Sequence, residues 1–123
     1  METKDLENQP KKKGQIEKNK AHVIVELIEY EHDEIVSKTI MQKLTGSVNA
    51  IAVAEGKGLD QKISPFDTYI QIIDGSAKID IDGVEAHLNL GEGILIPAHK
   101  SSKIIPNGRF KLLVTVIKSG YEN

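Results

Sequence analysis

Short apolar segments recur about every ten residues from Ile35 onward, with glycine or another turn residue between them. The pattern is clearest over residues 77–82, where Ile79 and Ile81 alternate with charged side chains. Because successive side chains of a strand point to opposite faces, this alternation predicts a strand with one buried face. Many short, evenly spaced strands without a long helical pattern predict an all-β sandwich or barrel.

Seven segments have the composition of strands. They span residues 35–42, 47–54, 68–74, 77–82, 85–90, 94–96 and 109–118. Asp74-Gly75 and Asp82-Gly83 are predicted to make tight hairpin turns, because Asp-Gly favours the two-residue turns that join antiparallel strands. Leu88 and Leu90 are predicted to face inward together.

The first and last of these segments carry apolar residues on both faces. In the first, strand alternation places Thr39 and Met41 on one side and Ile40 on the other. Such strands need cover on both faces, and an N-terminal strand from a partner chain would supply it. Residues 22–30 (HVIVELIEY) are too short a run to distinguish an edge strand from a short helix.

The first 20 residues differ in composition from the rest. They carry six Lys and four Asp or Glu, with few large apolar residues. Such a segment cannot bury enough apolar surface to offset the entropy of ordering. Residues 1–20 are therefore predicted to be a flexible charged tail, and residues 21–123 a single domain. The three lysines at positions 11–13 are either a basic contact patch or a solvated charge run.

The composition excludes several classes of protein. With 123 residues, the chain is long enough for one domain. It has no cysteine, which excludes disulfides and thiolate zinc sites and favours a cytoplasmic location. A net charge of −2 and only three Tyr and two Phe give no basis for binding nucleic acid or a membrane surface. The apolar runs are too short to span a membrane, and the N-terminus lacks the apolar region of a secretory signal.

Two segments have a regular frame of glycine and polar residues. In the first, Gly56 is followed after five residues by Lys62, and then by Ser64, Thr68 and Gly75. Three residues separate Ser64 from Thr68, and six residues separate Thr68 from Gly75.

The second frame begins at Gly91, and Pro97 stands after five intervening residues. His99, Ser102 and Pro106 complete it. Together the two frames resemble the two conserved motifs of the cupin superfamily. The first cupin motif is Gly, five residues, His-x-His, three or four residues, Glu, six residues, Gly. The second is Gly, five residues, Pro-x-Gly, two residues, His, three residues, Asn.

The resemblance covers roughly residues 34–118 and implies a cupin jelly-roll β-barrel, the double-stranded β-helix of RmlC-like proteins. Small cupins are commonly homodimers, so the resemblance implies a homodimer as well. It says little about activity, because one fold can host many unrelated functions, and cupins range from enzymes to storage proteins.

Cupin metal ligands are two His and a Glu from the first motif and a His from the second. The matching positions here are Lys62, Ser64, Thr68 and Ser102, so none of the four ligands is retained. A protonated Lys has no lone pair, and neutral hydroxyls are weak ligands for transition metals. The chain is therefore expected to hold no metal and no other cofactor. Asp67, beside the Glu position, should point away from the site unless a bulge intervenes.

The resemblance brings Lys62, Ser64, Thr68 and Ser102 together at one end of the barrel lumen, with His99 on the adjoining loop. One cation and three hydroxyls suit a small anionic or hydroxylated ligand. In the alternative interpretation, the barrel mouth is open to water and Lys62 extends into solvent.

Three functions follow from these alternatives. The first is a metal-independent binding or sensory domain for a small polar ligand. The second is a metal-independent isomerase or lyase. The third is a degenerate cupin that acts through protein contacts. The matching positions offer no second titratable residue beside Lys62, which weighs against an enzyme without deciding the question, and no residue is assigned as catalytic.

Overall fold

The computed structural model describes residues 16–61 and 63–118; residues 1–15, 62 and 119–123 lie outside the described part. The described elements are a 3-10 helix (Ile24–Glu26) and the strands β1 (Ile35–Lys43), β2 (Gly46–Val53), β3 (Leu59–Gln61), β4 (Asp67–Gly75), β5 (Ala77–Ile81), β6 (Val84–Leu88), β7 (Gly93–Ile96), β8 (Ser102–Ile105) and β9 (Phe110–Ile117). In this part of the chain, no helix is long and apolar enough to cross a membrane.

The strands form two antiparallel sheets that face each other. One has five strands in the order β1-β2-β9-β4-β7, and the other has four in the order β3-β8-β5-β6. The prediction of an all-β fold is confirmed, and each of the seven predicted strands is present. The short strands β3 and β8 are additional, because three and four residues are too few to show a period.

The core lies between the sheets and is built from alternate residues of their strands. Ile70 and Ile72 of β4, Ile79 of β5, and Phe110 and Leu112 of β9 are essentially inaccessible to solvent. Burying a side chain of this kind contributes roughly 1.5–3 kcal/mol relative to leaving it exposed. The alternation seen in the sequence therefore corresponds to inward-facing positions.

The two predicted Asp-Gly turns have different outcomes. Asp82-Gly83 joins the antiparallel pair β5 and β6, and both residues have positive φ (52° and 90°), as a type I′ turn requires. Asp74-Gly75 makes no hairpin, because β4 and β5 belong to different sheets. At Gly75 the chain crosses between sheets with φ 75°, and a Cβ there would lie 2.5 Å from the carbonyl oxygen of Arg109. Glycine is therefore required at this crossing.

Two predicted side-chain directions are wrong. A register shift between Thr39 and Met41 reverses the alternation of β1, so Met41 lies on the opposite face from Thr39. Leu90 is 64% exposed, whereas Leu88 is buried as predicted. The reason is that β6 ends at Leu88 and the chain then turns, with the Glu92 side chain accepting a hydrogen bond from the Asn89 N–H at 2.8 Å.

The ambiguous segment 22–30 forms the 3-10 helix and irregular chain, with no strand. It lies on the outer face of the five-stranded sheet, where Ile28 packs against Ala50 and Ala52. Part of the cover that β1 and β9 need thus comes from the chain itself. Of the predicted tail, residues 16–20 are described and include a turn, and the lysines at positions 11–13 lie outside the described residues.

Tyr30 fastens this segment to the sheet. Its hydroxyl donates a hydrogen bond to Asp74 Oδ2 at 2.6 Å, and the Arg109 guanidinium lies 4.4 Å from the ring centroid. The buried Lys111 lies against the same ring and donates from Nζ to the carbonyl oxygen of Val25 at 2.7 Å. Burial, and then the hydrogen bond and charge of Asp74, raise the pKa of Tyr30, while Arg109 lowers it. The phenol therefore stays protonated and keeps donating at neutral pH.

Replacing Tyr30 by Phe should lower the free energy of unfolding by about 1 kcal/mol at pH 7, because Asp74 loses a hydrogen bond in a partly buried position. The pKa of Tyr30 is higher in the folded than in the unfolded state. The stability that this difference contributes is complete below the unfolded pKa of about 10, and it decreases as the pH rises above that value toward the folded pKa. The difference between the wild type and Y30F should therefore shrink above about pH 10.

Urea unfolding at pH 7 and at pH 11 measures both effects. Tyr69→Phe is the matched control, because Tyr69 is 44% exposed on the same sheet and should change stability by less than about 0.5 kcal/mol. If Tyr30→Phe and Tyr69→Phe lowered the free energy of unfolding equally, the role given to Tyr30 would be contradicted.

Candidate functional site

Thr68 and Ser102 bring two buried hydroxyls to the same end of the space between the sheets. They are only 6% and 7% exposed. Thr68 of β4 lies opposite Ile96, the last residue of β7, and Ser102 begins β8 after a five-residue loop. Both alternate with core residues, Thr68 with Ile70 and Ser102 with Ile104. Their side chains therefore point inward from opposite sheets, next to the 97–101 loop.

Ser64 and His99 lie where two loops meet at this end. The backbone N–H of His99 donates to the carbonyl oxygen of Ser64 at 2.7 Å, and the Ser64 hydroxyl accepts a hydrogen bond from the Phe66 N–H at 3.0 Å. The His99 side chain is exposed. Its backbone has φ 68°, the left-handed region that favours glycine. His99, at the position of the second motif's second glycine, thus has a backbone conformation that glycine adopts readily.

Asp67 secures the same pair of loops from the other side of β4. Its Oδ1 accepts a hydrogen bond from the Ala98 N–H at 2.8 Å. Thr68 points into the core, and no register shift separates it from Asp67, so strand alternation turns Asp67 away from the lumen. Asp67 therefore has a structural partner in the 97–101 loop.

Lys62 lies outside the described residues, so its place in the site stays a prediction. The structure brings the other four candidates to one end of the molecule in two pairs. Thr68 and Ser102 face inward, and Ser64 and His99 join the loops that close this end.

The structure adds a row of neutral polar side chains that sequence reasoning missed. Asn49 of β2 lies opposite Thr39 of β1 and Val114 of β9, and Ser47 lies opposite Val116. Residues directly opposite each other in a sheet share a face, and both valines belong to the core side. Thr39, Ser47 and Asn49 therefore face inward, all half-buried, and Asn49 Nδ2 lies 3.5 Å from Ser47 Oγ.

The signal for this row was present in residues 47–53. One face of the strand reads Ser47, Asn49, Ile51 and Val53, so it changes from polar to apolar halfway along. A strand that lined a purely apolar core would carry apolar residues along the whole of this face. The change from polar to apolar side chains therefore marks the polar end of the lumen.

These donors do not fit the metal of the cupin motif. Thr68, Ser102 and Ser64 offer neutral hydroxyls, which are poor ligands for transition metals. Asp67, the nearest carboxylate in sequence, lies on the opposite face of β4. Within residues 16–61 and 63–118, no group of three or more His, Cys, Asp or Glu is arranged to hold a metal ion.

A groove of about 470 Å³ lies at the other end of the five-stranded sheet, near the start of β9. It is lined by Tyr30, Glu31, His32, Asp33, Ala54, Glu55 and Arg109. None of the described site candidates (Ser64, Thr68, His99 and Ser102) contributes to it. The groove is formed by the turn after the N-terminal segment and lies outside the space between the sheets.

Comparison with solved structures supports the fold. The chain is similar to a conserved protein of unknown function from Streptococcus pyogenes, with a TM-score of 0.79 and 25% identity over 85% of this chain and 92% of that one. It is also similar to a cupin superfamily protein from Desulfitobacterium hafniense, with a TM-score of 0.78 and 24% identity over 85% and 95% of the two chains. A cupin 2 conserved barrel domain protein from Leptotrichia buccalis gives a TM-score of 0.72 and 27% identity over 76% of this chain and 46% of that one.

No family model matches the chain, and no curated protein matches it. The similar structures carry names that describe a fold or an unknown function, so they support no particular activity. The two sheets, the glycine frames and these structural matches agree with each other. The cupin resemblance seen in the sequence is confirmed, and the described residues form a jelly-roll barrel with the cupin fold.

Proposed function

We propose that the protein is a metal-independent binding or sensory cupin, which takes a small hydroxylated or anionic molecule at the polar end of its lumen. The observation that carries this proposal is the pair of buried hydroxyls, Thr68 and Ser102, at one end of an otherwise apolar core. Burying polar groups costs free energy unless they are hydrogen-bonded. Valine and alanine would fill these positions at lower cost if packing were their only task.

The chemistry of the lining defines the ligand class. Thr68, Ser102, Ser47 and the amide of Asn49 can each donate and accept hydrogen bonds, which matches the hydroxyl groups of a polyol or sugar. The inward apolar residues Ile81, Ile96 and Val116 offer contact surface for carbon–hydrogen groups. An anionic ligand would draw on Lys62, whose position at this end is predicted from the motif.

An isomerase or lyase is the alternative from a different class. It needs a pair of titratable groups that reach the ligand. Among the described residues matched to the two motifs, His99 is the titratable one at this end, and its side chain is exposed. Asp67 lies on the other face of β4 and bonds the Ala98 N–H. A binding function therefore uses more of the residues that line the lumen than an enzymatic function would. A cytoplasmic location stays a prediction.

Thermal unfolding with a panel of sugars, polyols, carboxylates and phosphates tests the binding function. A ligand present at about 100 times its Kd should stabilise the fold by about 2.7 kcal/mol, which raises Tm by several degrees. Thr68→Val and Ser102→Ala should remove at least nine-tenths of the affinity, because each deletes a hydrogen-bonding group from the lining.

Thr115→Val is the matched control. It makes the same substitution on β9 at a position that lies opposite Tyr69, on the outer face of the sheet. The ligand should raise the Tm of Thr115→Val by as much as it raises the Tm of the wild type. The proposal fails if no compound raises Tm, or if Thr68→Val binds as tightly as Thr115→Val.

Elemental analysis tests the metal-independent part of the proposal. The purified, untagged protein should contain far less than one equivalent of Fe, Mn, Zn or Ni, because the motif positions offer hydroxyls in place of imidazoles and a carboxylate. Adding these ions should leave Tm unchanged. A stoichiometric metal that is lost in Lys62→Ala or Asp67→Ala would contradict this prediction.

A further inference from the structure

The groove near the start of β9 carries charged side chains of both signs. Four of them line its volume of about 470 Å³: the Arg109 guanidinium and the carboxylates of Glu31, Asp33 and Glu55. Binding sites for small molecules commonly have volumes of about 300–1,000 Å³, so a ligand of that size fits this space. We call the space between these four residues the charged groove.

The charged groups of this groove are not neutralised by other parts of the described chain. Arg109 forms no ion pair with any described residue, and its guanidinium carbon lies 4.4 Å from the centroid of the Tyr30 ring. Within residues 16–61 and 63–118, the three carboxylates likewise have no cationic partner. Contact with a ring leaves the guanidinium N–H groups without an oxygen acceptor. Charges of both signs are therefore available to a ligand.

The Tyr30 ring is a firm support for this guanidinium. Its hydroxyl donates a hydrogen bond to Asp74 Oδ2 at 2.6 Å, and Lys111 Nζ lies 4.9 Å from the ring centroid. An arginine side chain that rests on a fixed ring has fewer conformations to lose when it binds a ligand. Tyr30 is therefore a positioning residue for Arg109.

Backbone hydrogen bonds hold the walls of the charged groove in place. The Glu34 N–H donates to the carbonyl oxygen of Glu31 at 3.1 Å and closes a turn. The Ala54 N–H donates to the carbonyl oxygen of Glu34 at 3.1 Å, which ties this turn to the end of β2. The Gly56 N–H donates to the carbonyl oxygen of Asn107 at 2.6 Å, which joins the loop after β2 to the loop before β9. The charged side chains are thus attached to a backbone that is already in position, which favours binding.

Because the groove holds both signs of charge, a ligand of one sign fits it poorly. A simple anion would meet three carboxylates, and a simple cation would meet Arg109. Within the part of the chain that the structure describes, no three His, Cys, Asp or Glu side chains are arranged to hold a metal ion. One guanidinium and three carboxylates, with histidine counted as neutral, leave a formal charge of −2. The complementary ligand therefore carries one negative group and more than one positive group.

We propose that the charged groove binds a basic α-amino acid, of the class of lysine and arginine. The α-carboxylate of the ligand accepts two parallel hydrogen bonds from the Arg109 guanidinium, the fork geometry in which guanidinium groups bind carboxylates. The α-ammonium and the side-chain cation of the ligand pair with carboxylates of Glu31, Asp33 and Glu55. The groove lies outside the lumen, so this binding is a second function beside the one proposed above.

Isothermal titration calorimetry with L-lysine and with cadaverine, the same molecule without its carboxylate, tests the proposal. The wild type should bind L-lysine with a Kd below about 1 mM. Cadaverine should bind about tenfold more weakly, because it lacks the group that the Arg109 guanidinium holds. In Arg109→Gln, the affinity for L-lysine should fall by about tenfold. The preference for L-lysine over cadaverine should be lost in this variant.

Matched variants separate the groove from the general charge of the protein. Glu55→Gln should weaken the binding of L-lysine by about two- to fivefold, because one exposed opposite charge is lost. Glu85→Gln and Lys78→Gln are the controls, since they remove one charge of each sign from exposed positions on the four-stranded sheet. Both should bind L-lysine as the wild type does. Arg109 and Glu55 are exposed too, so all four variants should fold, which circular dichroism checks.

Three results would overturn the proposal. The first is a wild type that binds neither L-lysine nor L-arginine with a Kd below about 1 mM. The second is an Arg109→Gln variant that keeps the affinity of the wild type and its preference for L-lysine over cadaverine. The third is an equal loss of affinity in Arg109→Gln and Lys78→Gln. Thr68→Val should bind L-lysine as the wild type does, so the lumen function and the charged groove succeed or fail separately.

Discussion

The pairing of β4 with β9 at the centre of the five-stranded sheet fixes both faces of the molecule. Its register sets Ile70 against Val114 on the inner face, and Tyr69 against Thr115 on the outer one. A slip by one residue would exchange the two faces of the strand. Thr68 would then leave the lumen, and Ile70 would face solvent. The buried isoleucines oppose such a slip, and the positions of the polar groups follow from them.

Each face of the five-stranded sheet changes in character from one end to the other. The inner face changes along its length from Ile72 and Leu112 to Thr68 and Ser47, so one end of the core is polar. The outer face is held by Tyr30 at one end and left apolar at the other.

The cupin frame of this chain keeps its geometry while its chemistry has changed. His99, at a glycine position of the motif, has a left-handed backbone conformation, and the Ser64 carbonyl and Asp67 carboxylate accept hydrogen bonds from the backbone of the adjoining loop. The polypeptide therefore closes this end of the barrel with contacts of backbone and carboxylate groups. The side chains of Thr68 and Ser102 face the lumen at this end.

The sequence by itself determined seven of the nine described strands and the turn at Asp82-Gly83, because alternation and turn chemistry are local properties, and the resemblance to the cupin motifs implied that Thr68 faces the lumen. Only the tertiary structure decided the rest. The bulge before Met41 and the crossing at Gly75 each depend on which strands pair, and at which register. Pairing joins residues far apart in the chain, so no local pattern of the sequence contains it.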